Sequence, residues 1–135
     1  MKNVLATIVG FIVASLTVYV FESLIGHNLF PLSEDMDPMN MDSIKENMHL
    51  IPVGAKVFVI IAHFAGIVVG MLVASMISKT SVIPAYIVGG LILAATAFNL
   101  IMLPKELWFL AADAIGAIVG FFIGKTLASN KVTAL

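Results

Sequence analysis

Long apolar stretches alternate with polar breaks along this 135-residue chain. A helix needs roughly 20 residues to cross a hydrocarbon core of about 30 Å. Four stretches are long enough, at about 4–25, 52–77, 82–103 and 106–127. Breaks fall at 26–51, 78–81 and 104–105, and the two short breaks make the last three spans antiparallel neighbours. The pattern predicts an all-α, polytopic membrane protein, with residues 1–135 forming a single membrane domain, a four-transmembrane-helix bundle.

The long break at 26–51 is acidic but carries a helical pattern of its own. Met41, Ile44 and Met48 recur at helical intervals and would share one face. Ser43 and Glu46 stand at the spacing of a capping box, in which each side chain bonds the other residue's backbone N–H. We therefore expect a short amphipathic helix in this loop, lying on the outer leaflet.

Composition indicates a lipid environment and excludes several functions. Hydrophobic residues make up 61% of the chain and charged residues 11%, with a mean hydropathy of +1.11, whereas soluble domains carry about 25% charged residues. A net charge of −1 provides no basic face, so we do not expect nucleic acid as a partner. The absence of cysteine excludes disulfides, thiolate metal sites and thiol nucleophiles. Since no catalytic motif is present, we expect neither an enzyme nor a cofactor.

Lysine placement predicts the orientation, because cytoplasmic loops are enriched in basic residues. Four lysines fall at one end of the spans, namely Lys2, Lys79, Lys125 and Lys131. Lys45 and Lys105 fall at the other end, with Lys56 just inside the membrane. We expect both termini in the cytoplasm and the 26–51 loop outside. The first apolar stretch is longer than the core of a signal peptide, so we interpret it as an uncleaved span.

Five polar side chains fall within the predicted spans, where lipid penalises them: Glu22, Lys56, His63, Asn99 and Asp113. By residue count they lie in the outer half of the bilayer. One interpretation is a polar pocket open to the outside, with His63 at its floor. If Glu22 and Asp113 are both ionised, Lys56 alone does not balance their charge. A proton, a protonated His63 or a bound cation would balance it. The alternative is that Glu22 and Lys56 reach water at the interface, while Lys56 or Asn99 satisfies Asp113.

Glycines at four-residue spacing mark surfaces where two helix backbones can approach closely. Two such seams are present, Gly66 and Gly70 in span two, and Gly116, Gly120 and Gly124 in span four. A shared pattern, polar-x-x-Gly-x-x-x-Gly, begins at His63 in one span and at Asp113 in the other, as in a weak internal repeat. Either the two spans pack together within one chain, or one seam joins two copies. Both arrangements are compatible with a homo-oligomer or a membrane partner protein.

Side chains in the loop raise a further alternative, a metal site. His27 and His49 supply imidazoles, while Met36, Met39 and Met41 supply thioethers of the kind that bind Cu(I). Their spacing matches no tight zinc or calcium pattern. A mobile acidic loop with an amphipathic helix explains these residues better.

Several short motifs resemble those of a group of small bacterial four-span proteins of uncharacterised function. These motifs are Glu22-x-x-x-Gly26-His27-x-x-x-Pro31, the acidic loop, Leu50-Ile-Pro-Val-Gly54-Ala, and Asn99 to Pro104 followed by Leu107-Trp108-Phe109. The resemblance covers most of the chain and implies a four-span fold in a bacterial inner membrane, but no activity. Small multidrug-type exporters share the length and the span count. They place a carboxylate deep in the first span and lack a long outer loop, so Glu22 does not fit their pattern.

Two functions follow from these patterns. The first is an integral membrane protein whose outward-facing polar pocket acts in small-solute or ion transport or binding. The second is a structural or accessory subunit whose glycine-rich seams bind a partner. The five polar side chains within the spans form what we call the polar layer. Water at this layer would distinguish the two functions, because a structural subunit needs the layer dry and fully paired.

Overall fold

The computed structural model describes residues 1–133, which contain helices and no strand. The helices are α1 (Lys2–Leu29), α2 (Met41–Asn47), α3 (Val53–Ser78), α4 (Ile83–Met102) and α5 (Leu107–Thr133). All except α2 are long and apolar enough to cross a membrane. The predicted all-α bundle of four membrane-spanning helices is therefore confirmed, with a short helix in the first connection.

α3 is the central helix of the bundle, since it packs against α1, α4 and α5. Its buried side includes Ile67, Met71 and Ala74, and Val88 of α4 joins the same apolar core. Large apolar side chains also point outward from every long helix. Helices that are apolar on all sides are typical of membrane spans. The protein is thus a multi-pass membrane protein in contact with lipid.

Close approach at glycine determines how α3 meets α1. A Cβ added at Gly70 would lie 2.5 Å from the Cβ of Ala14, and one at Gly66 would lie 2.5 Å from Cγ2 of Val18. Both contacts are too short for any side chain, so glycine is required for this packing. The seam of Gly66 and Gly70 therefore faces α1. This corrects the expectation that it faces the fourth span.

The second seam, formed by Gly116, Gly120 and Gly124, faces α3. A Cβ at Gly120 would lie 3.1 Å from the backbone oxygen of Phe64, and one at Gly124 would lie 2.7 Å from the sulfur of Met71. Of the two glycine seams, this is therefore the one that lies between spans two and four. Helices of the same chain fill both seams, which leaves neither one as a docking face for a second copy.

α1 extends past its predicted end at residue 25 and reaches Leu29. A wide π-helical turn, Val20–Gly26, comes before the last α-helical residues. Gly26 keeps helical backbone angles, with φ −59° and ψ −51°. A Cβ at this position would lie 2.9 Å from the Cβ of Phe58, so the glycine allows α1 to approach α3 closely.

The connection from α1 to α3 folds over one end of the bundle, which we call the loop end. Asn40 is the N-cap of α2, because its Oδ1 accepts hydrogen bonds from the N–H groups of Asp42 and Ser43. The predicted capping box is therefore wrong, since Ser43 lies inside the helix and its hydroxyl accepts a loop N–H. Met36 and Met48 of this connection are themselves buried, so the connection covers this end of the bundle.

Candidate functional site

A cavity of about 100 Å³ lies at the loop end, under the cover formed by the first connection. Apolar side chains make up most of its wall, including Met36 and Met48 from the loop. Five lining residues are polar, and they are Glu22, His27, Lys56, Asn99 and Lys105. A small apolar-walled cavity with a few convergent polar groups has the character of a ligand site.

Four of these polar groups reach the cavity from different parts of the chain. Glu22 comes from the π-helical turn of α1, and such turns are frequent at functional sites. Lys56 lies in the first turn of α3 and Asn99 in the last turn of α4. Lys105 comes from the short connection that leads into α5. The ends of three spans and one connection therefore converge on this small volume.

Lys56 is held by a carboxylate at the rim. Its Nζ donates a hydrogen bond to Oε1 of Glu106 at 2.5 Å. The lysine side chain is only 3% exposed, whereas that of Glu106 is 44% exposed. This hydrogen bond lowers the pKa of Glu106, and the charge of Lys56 acts in the same direction. The pair joins the start of α3 to the residue that precedes α5.

A second set of charges lies behind the cavity wall and centres on Asp113. Its carboxylate is fully buried, with Oδ1 2.7 Å from Nδ1 of His63. Its other oxygen, Oδ2, accepts a hydrogen bond from Nζ of Lys105 at 3.3 Å. The same ammonium lies 4.4 Å from the ring centre of Phe109, within the range of a cation–π contact. Since an ionised carboxylate only accepts hydrogen bonds, Nδ1 of His63 is the donor when Asp113 is charged.

These contacts correct two expectations from the sequence. Asp113 is paired with His63 and Lys105, and not with Lys56 or Asn99. His63 does not line the cavity and so is not its floor. It contacts Asp113, which in turn contacts Lys105 at the cavity.

Two residues that the sequence reasoning omitted, Lys105 and Glu106, therefore complete the polar layer. Both residues lie at or beyond the ends of the predicted spans. Their long side chains nevertheless reach α3 and α5, where Lys105 is only 2% exposed.

Some polar groups at this end of the bundle have no partner within residues 1–133. The side-chain oxygens of Asn99 and Thr96 are shut off from solvent and accept no hydrogen bond in that part of the chain. Glu22 forms no ion pair with the described residues and lies more than 4 Å from the ammonium of each lysine at the site. A buried polar group without a partner is costly, so water or a ligand is expected to satisfy these atoms.

No known protein-family model, no curated protein and no solved structure matches this chain.

The residues proposed for a metal site do not converge. Met39 is 92% exposed, whereas Met36 is 6% exposed and faces the cavity. His27 lines the cavity, while His49 is exposed in the loop. Across residues 1–133, no three His, Cys, Asp or Glu side chains are grouped as metal ligands would be. Of the five side chains, His27 and Met36 therefore line the cavity, whereas His49, Met39 and Met41 are exposed in the loop.

Proposed function

We propose that this membrane protein binds a small polar solute or ion in the cavity at the loop end, as part of its transport or its retention at the membrane. The observation that carries the proposal is the burial of two lysine side chains that both line this cavity inside a largely apolar bundle. Ionisable groups in a membrane domain are costly and mark substrate or ion pathways. A bundle that only filled space would be more stable with apolar residues at these positions.

The volume of the cavity limits the ligand. About 100 Å³ is several times the roughly 10–15 Å³ that one water needs by the same kind of measure. Sites for drug-sized molecules run to about 300–1,000 Å³. The ligand is therefore an ion or a solute of a few heavy atoms.

Reactivity of an introduced cysteine tests whether water reaches this cavity, since the chain contains no cysteine of its own. Ala55 lines the cavity, and Ala117 lies in the apolar core; each is 2% exposed. We expect a small water-soluble thiol reagent to label Ala55→Cys in membranes and to leave Ala117→Cys unlabelled. Equal protection of the two cysteines would mean that the cavity is dry, and the binding function would then be rejected.

We also infer that the loop end faces away from the cytoplasm in a bacterial inner membrane, with both termini in the cytoplasm. The support is the distribution of basic residues, since Lys2, Lys79 and Lys131 lie at the opposite end of the bundle. An impermeant thiol reagent added outside intact cells should label Glu34→Cys and spare Lys79→Cys. The reverse pattern would overturn this orientation.

A structural or accessory role is the second candidate. The favouring observation is that four of the charges at the α3–α5 interface are already paired, as a dry scaffold requires. Since both glycine seams are filled within the chain, a partner or a second copy would have to dock on the lipid-facing surface. Protected Ala55→Cys together with a stable oligomer in native mass measurements would favour this role over binding.

A further inference from the structure

Two lysines and three carboxyl groups belong to the polar layer at the loop end, so the two kinds of group are unequal in number. Lys56 is matched by Glu106, and Lys105 is matched by Asp113. Glu22 is the carboxylate that remains. The layer therefore contains one carboxyl group more than its lysines pair with.

Glu22 lines the cavity from the π-helical turn of α1 and is partly buried there. Neither ammonium that lines the same cavity lies within ion-pair distance of it. An ionised carboxylate held without a counter-ion in the outer part of a membrane bundle is unfavourable. The cavity beside it is the place from which a counter-ion can come.

Asn99 is a second unpartnered group on the same wall. Its carboxamide oxygen is shut off from solvent and accepts no hydrogen bond from residues 1–133. The two ends of a carboxamide have nearly the same shape, so the side chain of Asn99 fits with either its oxygen or its nitrogen toward the cavity. With the oxygen toward the cavity, Glu22 and Asn99 offer oxygen ligands from a carboxyl group and from a carboxamide.

We propose that the cavity binds a small monovalent cation, an alkali ion or a simple ammonium, between Glu22 and Asn99. The inference rests on the proposed function and names the class of ligand. A single carboxylate balances a single positive charge, whereas calcium sites gather several oxygen ligands and transition-metal sites gather imidazole or thiolate ligands. The described part of the chain groups no three His, Cys, Asp or Glu side chains at this place, in agreement with a monovalent ion.

The two lysines do not exclude a cation from this cavity. Each ammonium already contacts its own carboxylate, at 2.5 Å for Lys56 and 3.3 Å for Lys105. The carboxylate in each pair partly offsets the repulsion between its lysine and an entering cation. Glu22 is the carboxyl group lining the cavity that forms no ion pair with the described residues.

Thermal unfolding of the full chain in detergent tests the proposal. Sodium, potassium, ammonium and methylammonium chlorides are compared with N-methyl-D-glucamine chloride, whose cation is too large for the cavity, at equal ionic strength and fixed pH. We expect at least one small cation to raise the unfolding temperature saturably, as a ligand of the folded state does. Comparison of the alkali salts with the ammonium salts shows which kind of cation is bound.

Glu22→Gln should abolish this rise and, in the large-cation buffer, should unfold at or above the wild-type temperature, because the uncompensated charge is gone. Glu46→Gln is the matched control. It makes the same chemical change on an exposed loop residue and should keep the full response. The bound cation should also slow the labelling of Ala55→Cys.

Three results would overturn the cation site. They are equal unfolding temperatures in all five salts, a response that persists in Glu22→Gln, and a Glu22→Gln variant that does not fold. If Ala55→Cys is labelled in any of these cases, the cavity is wet and the broader binding function stands without a cation. If Ala55→Cys is also protected, both proposals fail.

Discussion

Asp113→Asn is the substitution for which the structure makes the sharpest prediction. The carboxylate is fully buried and serves two partners, His63 at 2.7 Å and Lys105 at 3.3 Å. Asparagine has nearly the same shape, so the change removes the charge and little else. The ammonium of Lys105 then remains buried with no carboxylate within reach.

The expected loss is large because one member of a buried pair is left behind. Removing a single partner costs about 3–5 kcal/mol, whereas replacing both partners is often far milder. Asp113→Asn and Lys105→Met should therefore each lower the free energy of unfolding by about that amount. The double variant should recover part of the loss, with a coupling of about 0.5–3 kcal/mol.

Lys56→Met is the matched control for this cycle. Lys56 is as deeply buried as Lys105, but its ammonium contacts Glu106 and not Asp113. Its loss should add to that of Asp113→Asn within about 0.5 kcal/mol.

Unfolding by a denaturing detergent in mixed micelles, followed by circular dichroism, gives the free energies. Coupling of Asp113 to Lys56, with none to Lys105, would restore the pairing expected from the sequence and refute the geometry.

Two further predictions follow from packing and from pH. Gly120→Leu should lower the free energy of unfolding by about 1–3 kcal/mol, since its Cβ meets Phe64 at 3.1 Å. Gly90→Leu, where a Cβ meets nothing within 4 Å, should change it little, and equal losses would refute the seam. Because Lys56 holds the pKa of Glu106 below 4.5, the pair stabilises the fold above that pH. Acid titration through the lowered pKa should remove this stabilisation in wild type but not in Glu106→Gln, and identical acid profiles would refute it.

The four spans were predictable because lipid imposes a simple rule on sequence. A spanning helix must satisfy its own backbone and present apolar side chains for roughly 20 residues, so hydropathy alone identifies it. The helix ends were less predictable, and α1 continues to Leu29 through Gly26. A glycine near the end of an apolar run is typical of a helix stop. Here it is needed for contact with Phe58, which only the tertiary packing reveals.

Part of the polar layer was predictable from the sequence, but Lys105, Glu106 and the pairing of the charges were not. Depth counted along a helix axis gives the height of each Cα, whereas the charge of a lysine lies at the end of a long, flexible side chain. Lys105 lies outside the helices, yet its ammonium reaches a carboxylate eight residues further along the chain. Depth counting therefore left out both Lys105 and Glu106.

Spacing along the chain contained the signal that depth counting lacked. The weak internal repeat aligns His63 with Asp113, fifty residues apart, and these two residues contact each other. The other polar contact between α3 and the start of α5, from Lys56 to Glu106, spans the same fifty residues. α3 and α5 run in the same direction because two short connections and one helix separate them, so one register brings both pairs to matching heights. Lys56 and His63 are seven residues apart, as are Glu106 and Asp113. Seven residues are close to two helical turns, so the two residues of each set lie on the same face. Applied to Lys56, this register points to Glu106 as its partner and leaves Asp113 for Lys105 and His63.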